Sequence, residues 1–200
     1  MEIRRLFTAI WMFLAVLAVQ GQSATQILDK VAAKAAHKDG VTADFTIKAA
    51  QTATSGSIAV KGKKLHATTP QAVVWFDGKT QWTYMKNNDE VNVANPTEAQ
   101  LAAINPYNFI YLYKKGYTST MAKKGSNYEI HLKATDKTKA IQEFYIVARQ
   151  KTYVLSQIRM KQKQGWVTID IRNFKTAKLA DALFRFNSKD FPTAEVIDLR

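Results

Sequence analysis

Residues Val73–Tyr113 read VVWFDGKTQWTYMKNNDEVNVANPTEAQLAAINPYNFIYLY. Two apolar, aromatic runs, Gln71 to Phe76 and Lys79 to Met85, flank Asp77-Gly78. An Asp-Gly pair between such runs is a strong hairpin signal, because both central residues of the tight turn need positive φ. With a two-residue loop, Phe76 would face Lys79. Side chains alternate along a strand, so Val73, Trp75, Trp82 and Tyr84 would share one face. The other face, with Val74, Phe76, Lys79, Gln81 and Thr83, is more mixed. Glu90 to Ala94 continues as a further strand. Two Asn-Pro pairs then predict short helices. Asn95 caps the first, Pro96 takes its first position, and Glu98 completes something close to a capping box. Asn105 and Pro106 begin the second. Phe109, Ile110, Leu112 and Tyr113 crowd it until Gly116 ends it. The whole stretch is rich in apolar and aromatic surface and holds no evident catalytic group. It predicts a surface that holds an apolar ligand.

Working outward, Ser23 to Ala36 predicts a helix. Ser23 or Thr25 caps it, Ile27, Leu28, Val31, Ala32 and Ala35 recur at helical spacing, and Gly40 stops it. Strand patterns follow at Val41 to Lys48, around Ile58 and Val60, and at Leu65 to Thr69. Beyond Gly116 they resume at Tyr117 to Ala122, Tyr128 to Ala134, Ile141 to Ala148, Tyr153 to Gln162 and Trp166 to Phe174. The stretch from Leu179 to Phe186 reads as partly irregular. Phe191-Pro192 leads into a last strand, Glu195 to Leu199. This is roughly eleven strands in meander order, with helices at the start and in the middle. The fold class is mainly β with helices: a single strongly curved antiparallel sheet, an incomplete β-barrel. The N-terminal helix and the short mid-chain helices are its candidate covers.

The chain has 200 residues, a net charge of +13 and no Cys. Arg4 and Arg5, an apolar run from Leu6 to Val19, and small or polar residues to Ala24 have the layout of a secretory signal peptide. The run is shorter than the roughly 20 apolar residues of a spanning helix. The expected division is a signal peptide over 1–21, cleaved between about 20 and 24, and one domain over 24–200. An uncleaved N-terminal anchor is the alternative. Export and the lack of Cys suit a bacterial periplasm, where a chain of this size can bury a core without disulfides. An exported basic protein fits anionic lipid or acidic partners better than nucleic acid. The competing explanation is a solvated basic surface, since the Lys residues are spread rather than clustered.

The search for chemistry is negative. His37, His66 and His131 lack the close pairing of zinc ligands. Asp77 is explained by its turn, and Asp89 and Glu90 point to opposite faces of a strand. Gly-x-Ser-x-Gly and the Gly-rich phosphate motifs are absent. The expectation is a protein that is not an enzyme and needs no cofactor. The ligand-facing candidates, in the cavity or its lid, are Phe45, Ile58, Trp75, Trp82, Tyr84, Leu101, Ile104, Phe109, Ile110, Leu112, Tyr113, Ile158, Met160 and Ile169. Each could instead be ordinary core, as most aromatic and aliphatic residues are. An acyl chain would suit such a lining, at about 0.8 kcal/mol per buried CH₂.

The run Asp77-Gly78-Lys79-Thr80-Gln81-Trp82-Thr83-Tyr84 resembles the hairpin of the outer-membrane lipoprotein carrier proteins, the LolA-like group. Gly56 to Val60, Glu90-Val91, Pro96-Thr97, Asn105-Pro106-Tyr107 and the Phe184-x-Phe186…Phe191-Pro192 ending add to the resemblance. It covers about Ala24 to Leu199. It implies a curved, incomplete barrel with helices as a lid, working as a periplasmic carrier without covalent chemistry. Members receive acylated lipoproteins from an inner-membrane transporter, shield the acyl chains, and hand them to an outer-membrane acceptor. A monomer is expected. Better-known members place an Arg before a Pro ahead of the hairpin, and here Thr69 precedes Pro70. The same fold could instead serve a regulatory or scaffolding module that binds lipid or a membrane-anchored protein.

Overall fold

The computed structural model describes residues 22–50, 52–97, 113, 114, 116–139, 141–162 and 165–200. The expected signal peptide and nearly all of both Asn-Pro segments lie outside the described residues. Helix α1, Ala24–Ala35, starts at a full capping box. Ser23 Oγ accepts from the Gln26 backbone N–H, and Gln26 Oε1 accepts from the Ser23 N–H. Ser23 is therefore the cap, not Thr25. Its side chain satisfies a donor that the first helical turn leaves without a partner. The apolar stripe Ile27, Leu28, Val31, Ala32 and Ala35 is buried.

Twelve strands follow among the described residues. They are β1 (Val41–Ala49), β2 (Thr52–Lys61), β3 (Lys64–Thr68), β4 (Ala72–Phe76), β5 (Gln81–Met85) and β6 (Glu90–Ala94). Then come β7 (Tyr117–Lys124), β8 (Asn127–Ala134), β9 (Glu143–Arg149), β10 (Leu155–Gln162), β11 (Gly165–Thr176) and β12 (Glu195–Asp198). All twelve lie in one sheet, ordered β12-β6-β5-β4-β3-β2-β1-β11-β10-β9-β8-β7. The order is not the simple meander that strand spacing suggests. It is two meanders joined where β1 pairs with β11, so the link from β6 to β7 runs between opposite ends of the sheet. The last strand returns to pair with β6 in parallel.

The Asp77-Gly78 hairpin forms with a longer loop than expected. Phe76 pairs with Gln81, not Lys79, and Trp75 pairs with Trp82. Asp77 explains the difference, because its Oδ1 accepts from the backbone N–H groups of Lys79 and Thr80. This side chain closes a four-residue turn in which Gly78 alone has positive φ, at 104°. The change in loop length is even, so the shared face of Val73, Trp75, Trp82 and Tyr84 survives it.

The inner face of the sheet folds around α1. Val41, Phe45, Ile58, Leu65, Ile130, Phe144, Ile158 and Ile169, drawn from seven strands, join one buried cluster with the helix. One sheet can meet both sides of a helix only if it curves. Two irregularities help, since bulges bend and twist a strand. One lies between Thr42 and Asp44 of β1, where β11 carries an extra residue and Asn173 takes a φ of 51°. The other lies at Ser156 of β10.

Gly56 marks a close approach. It pairs with Phe45, and a Cβ there would sit 2.7 Å from Phe45 Cζ and well inside contact with the Thr68 carbonyl oxygen. The obstacle is partly backbone, which yields little. Gly56→Ala is therefore expected to destabilise the protein by about 1–3 kcal/mol, read from urea unfolding. An unchanged midpoint would show that β2 and β3 are not held that close.

Candidate functional site

The inward positions of the central strands are apolar in succession. Phe45 faces Ile171 across the β1–β11 pair, and Ile47 faces Ile169. Ile158 lies between Ile169 and Ile146, and Met160 between Val167 and Phe144. Of the expected ligand-facing residues, Phe45, Ile58, Ile158, Met160, Ile169 and Tyr113 meet in this one cluster with α1. Tyr113 is buried there, and its hydroxyl donates to Asp29 of the helix. That bond is the main reason the Asp29 carboxyl lies below its ordinary value, with Lys114 adding to it. Leu101, Ile104, Phe109, Ile110 and Leu112 lie outside the described residues.

Trp75, Trp82 and Tyr84 are placed otherwise. They share a face, but it is the outer one. Val74 and Phe76, their neighbours in β4, pack into the inner cluster, and alternation sends Trp75 the other way. The chain after β11 covers that outer face. The Trp75 ring meets Phe186 at 5.6 Å and Phe191 at 5.5 Å, and Tyr84 meets Phe191 at 4.6 Å. With buried Phe184, Val91 and Val93 these rings form a second apolar layer. The expectation that this aromatic face lines a ligand cavity is therefore corrected. Its sequence signal was the pattern of Phe184, Phe186 and Phe191 interleaved with the polar residues Arg185 and Asn187 to Asp190, which needs an apolar partner.

Ion pairs hold the tail in place. Asp181 meets Lys61 at 3.0 Å and Lys64 at 2.8 Å. Arg185 meets Asp77 at 3.3 Å, so the turn-closing carboxylate also anchors the tail. Hydrogen bonds from Lys64 and then Lys61 hold the Asp181 carboxyl below its ordinary value. Burial pushes Asp77 upward, but the Thr80 and Lys79 N–H groups and Arg185 outweigh it, so its net shift is downward.

The outer face of the other half carries a stacked ladder. His131 lies parallel to Tyr145 at 4.3 Å, and the Arg159 guanidinium covers the same ring at 4.6 Å. His131 meets Glu143 at 2.7 Å, but among the described residues no three His, Asp or Glu groups converge as a metal site requires. His66 stands against Trp75, and its burial lowers its pKa. Thr69 is spent on a turn: its hydroxyl accepts from the Ala72 N–H at 3.0 Å.

Two clefts open at opposite ends of the β1–β11 pair. One, about 420 Å³, lies where the inner face ends, bounded by Ala49, Ala50, Val167 and Trp166. The other, about 300 Å³, lies beside the β11 bulge, among Arg149, Leu155, Ile171 and Arg172. No described helix is long and apolar enough to cross a membrane.

Residues 14–164 match the family described as outer membrane lipoprotein carrier protein LolA. No curated protein matches the chain. Among solved structures it is similar to an uncharacterized conserved protein from Thermus thermophilus. The TM-score is 0.61 at 10% identity, over 88% of this chain and 99% of that one. A LolA superfamily protein from Nitrosomonas europaea gives a TM-score of 0.45 at 12% identity, over 83% and 99% of the two chains. The MucA/MucB complex of Pseudomonas aeruginosa gives 0.42 at 11% identity, over 82% and 61%.

Two outcomes follow from the outer layer. Trp75→Ala should lower stability by about 3 kcal/mol, as expected for a buried aromatic, while leaving uptake of an acyl probe unchanged. Loss of uptake at full stability would return Trp75 to the ligand site. The depressed carboxyls of Asp77 and Asp181 stabilise the fold above the ordinary carboxylate pKa, about 4. That contribution is lost as pH falls through their folded values. Trp fluorescence should thus report a partial loosening of the tail over Trp75 on acidification below about pH 4. The Asp77→Asn, Asp181→Asn double variant should be less stable at neutral pH and flatter in its acid response.

Proposed function

Because the chain belongs to the outer membrane lipoprotein carrier family, we propose that it is a carrier of acylated lipoproteins in the periplasm. It binds acyl chains by reversible burial against the inner face of the sheet and ferries them from the inner to the outer membrane. The observation that carries this reading is the unbroken apolar inner face. Phe45, Ile47, Ile58, Ile158, Met160, Val167 and Ile169 belong to it, packed with α1, and the Ala49–Val167 cleft borders it at Val167. An acyl chain needs apolar length and no particular polar partner, and each CH₂ removed from water contributes about 0.8 kcal/mol. The reading is non-enzymatic. Its partners would be acylated lipoproteins, an inner-membrane lipoprotein-releasing transporter and an outer-membrane acceptor. Release would not use an arginine before Pro70, because Thr69 occupies that position in a turn.

Protein purified from the periplasm and extracted with organic solvent should yield acyl-bearing lipid or lipoprotein. One stoichiometric protein partner, bound regardless of acylation, would favour a regulatory module on the same fold and sink the carrier reading. Val167 is half-buried at the cleft. Val167→Glu would place an unpaired carboxylate there and should weaken uptake of a fluorescent fatty-acyl probe by roughly tenfold. Uptake equal to the unmodified protein would remove this cleft from the route.

A further inference from the structure

The lysines are spread along the sequence, but the strand topology gathers some of them. The turn joining β7 to β8 and the turn joining β9 to β10 lie at the same end of the sheet, because these strands pair antiparallel in succession. Gln150 ties the two turns together. Its backbone N–H donates to the Ser126 carbonyl at 2.9 Å, and its side-chain amide to those of Gly125 at 3.0 Å and Asn127 at 2.9 Å. The joined tip carries Lys123, Lys124, Arg149 and Lys151, all exposed, and residues 122–128 and 148–154 hold no Asp or Glu. Lys30 of α1 adds to it, with Nζ 3.3 Å from the Tyr153 hydroxyl. At the other end of the sheet the β8–β9 connection is balanced, with Asp136 and Glu143 beside Lys137 and Lys139.

Most of this charge is not neutralised among the described residues. Lys123, Arg149 and Lys151 form no ion pair there. The neighbouring carboxylates are already matched: Glu129 meets Lys124 at 2.6 Å and Arg159 at 2.9 Å, and Asp29 meets Lys114 at 3.4 Å. The far half of the same end differs, because the tail brings Asp181 to Lys61 and Lys64. Lys124 pairs with Asn127, and Asn127 with Arg149, so two strand spacings of about 4.8 Å separate Lys124 from Arg149. Charges within about one Debye length of each other act together on a partner. Alternation spreads them over both faces of the tip. A small anion needs donors that converge, whereas a bilayer is a broad anionic plane that takes charge from a whole tip. The start of the described chain is held here too. Gln22 Oε1 accepts from the Tyr128 and Tyr153 hydroxyls, both at 3.2 Å. The apolar run Leu6 to Val19 ends three residues earlier, and three residues span at most about 11 Å. A membrane that holds this run, as during export, therefore lies close to the tip, which favours lipid over an acidic protein as the partner.

We propose that this tip docks on the surface of an anionic phospholipid bilayer, with Lys30, Lys123, Lys124, Arg149 and Lys151 against the headgroups. None of these residues belongs to the inner apolar cluster, so the docking does not depend on acyl-chain carriage.

The test is flotation of protein purified from the periplasm with vesicles of phosphatidylglycerol mixed with phosphatidylcholine, or of phosphatidylcholine alone. The mixed vesicles should carry the protein at low salt and release it as salt rises, and phosphatidylcholine alone should not carry it. The triple variant Lys123→Gln, Arg149→Gln, Lys151→Gln should bind the mixed vesicles at least about tenfold more weakly. The triple variant Lys133→Gln, Lys137→Gln, Lys161→Gln removes the same charge from exposed positions at the other end of the sheet and should bind like the original protein. All six side chains are exposed, so both variants should fold, and unchanged melting temperatures check this. The chain has no Cys, so Ser126→Cys and Thr138→Cys each create one labelling site, at opposite ends. An environment-sensitive fluorophore should shift to the blue on mixed vesicles at position 126 and not at position 138. No flotation with mixed vesicles, equal flotation with phosphatidylcholine alone, equal loss in the two triple variants, or a shift at position 138 alone would each overturn the proposal. Acyl-probe uptake should be unchanged in the tip variant, which separates failure of docking from failure of the carrier reading.

Discussion

The pairing of β1 with β11 holds the two halves of this molecule together. Each half is a meander of local hairpins, and local hairpins alone would leave two separate sheets. The joint aligns Phe45 with Ile171 and Ile47 with Ile169, so the inner faces of both halves become one surface. The helix then has apolar walls on more than one side, and its stripe from Ile27 to Ala35 is buried. The pairing is also among the most separated in sequence, so its loop-closure cost is met only when the whole inner face assembles.

Two apolar layers result, and they serve different purposes. The inner layer gathers aliphatic residues from strands on both sides of the joint around α1. The outer layer is aromatic and local to β4–β6, where the C-terminal tail fastens over Trp75 and Tyr84. Salt bridges at Asp77 and Asp181 position the tail but are solvent-exposed on at least one side. Such pairs contribute little individually, and the rings supply most of the attachment. The tail thereby covers a face that would otherwise present two Trp and a Tyr to water. One irregularity of the sheet lies at this joint and the other in the β9–β10 pair. The bulges at Asn173 and Ser156 let the sheet bend.

Much of this was legible in the chain. Alternation gave most strands within a few residues, and the Ser23 cap, the Asp-Gly hairpin and the grouping of Trp75, Trp82 and Tyr84 all formed. The grouping survived an error in the turn because the loop grew by an even number of residues. The topology was not legible, since strand patterns carry no address for a partner far along the chain. The same limit applied to the aromatic face, whose partner Phe191 lies more than a hundred residues further along the chain.

The sequence by itself determined which residues travel together, because strand alternation and helical period are local properties of the backbone. It thereby set an apolar inner stripe, an aromatic set and a capped helix. Only the tertiary structure decided which set faces inward. Both faces of β4 are apolar enough to be buried, Val74 and Phe76 on one and Val73 and Trp75 on the other, and local physics does not rank them. The choice fell to distant partners: α1 and the central strands took Val74 and Phe76, and the tail took Trp75 and Tyr84.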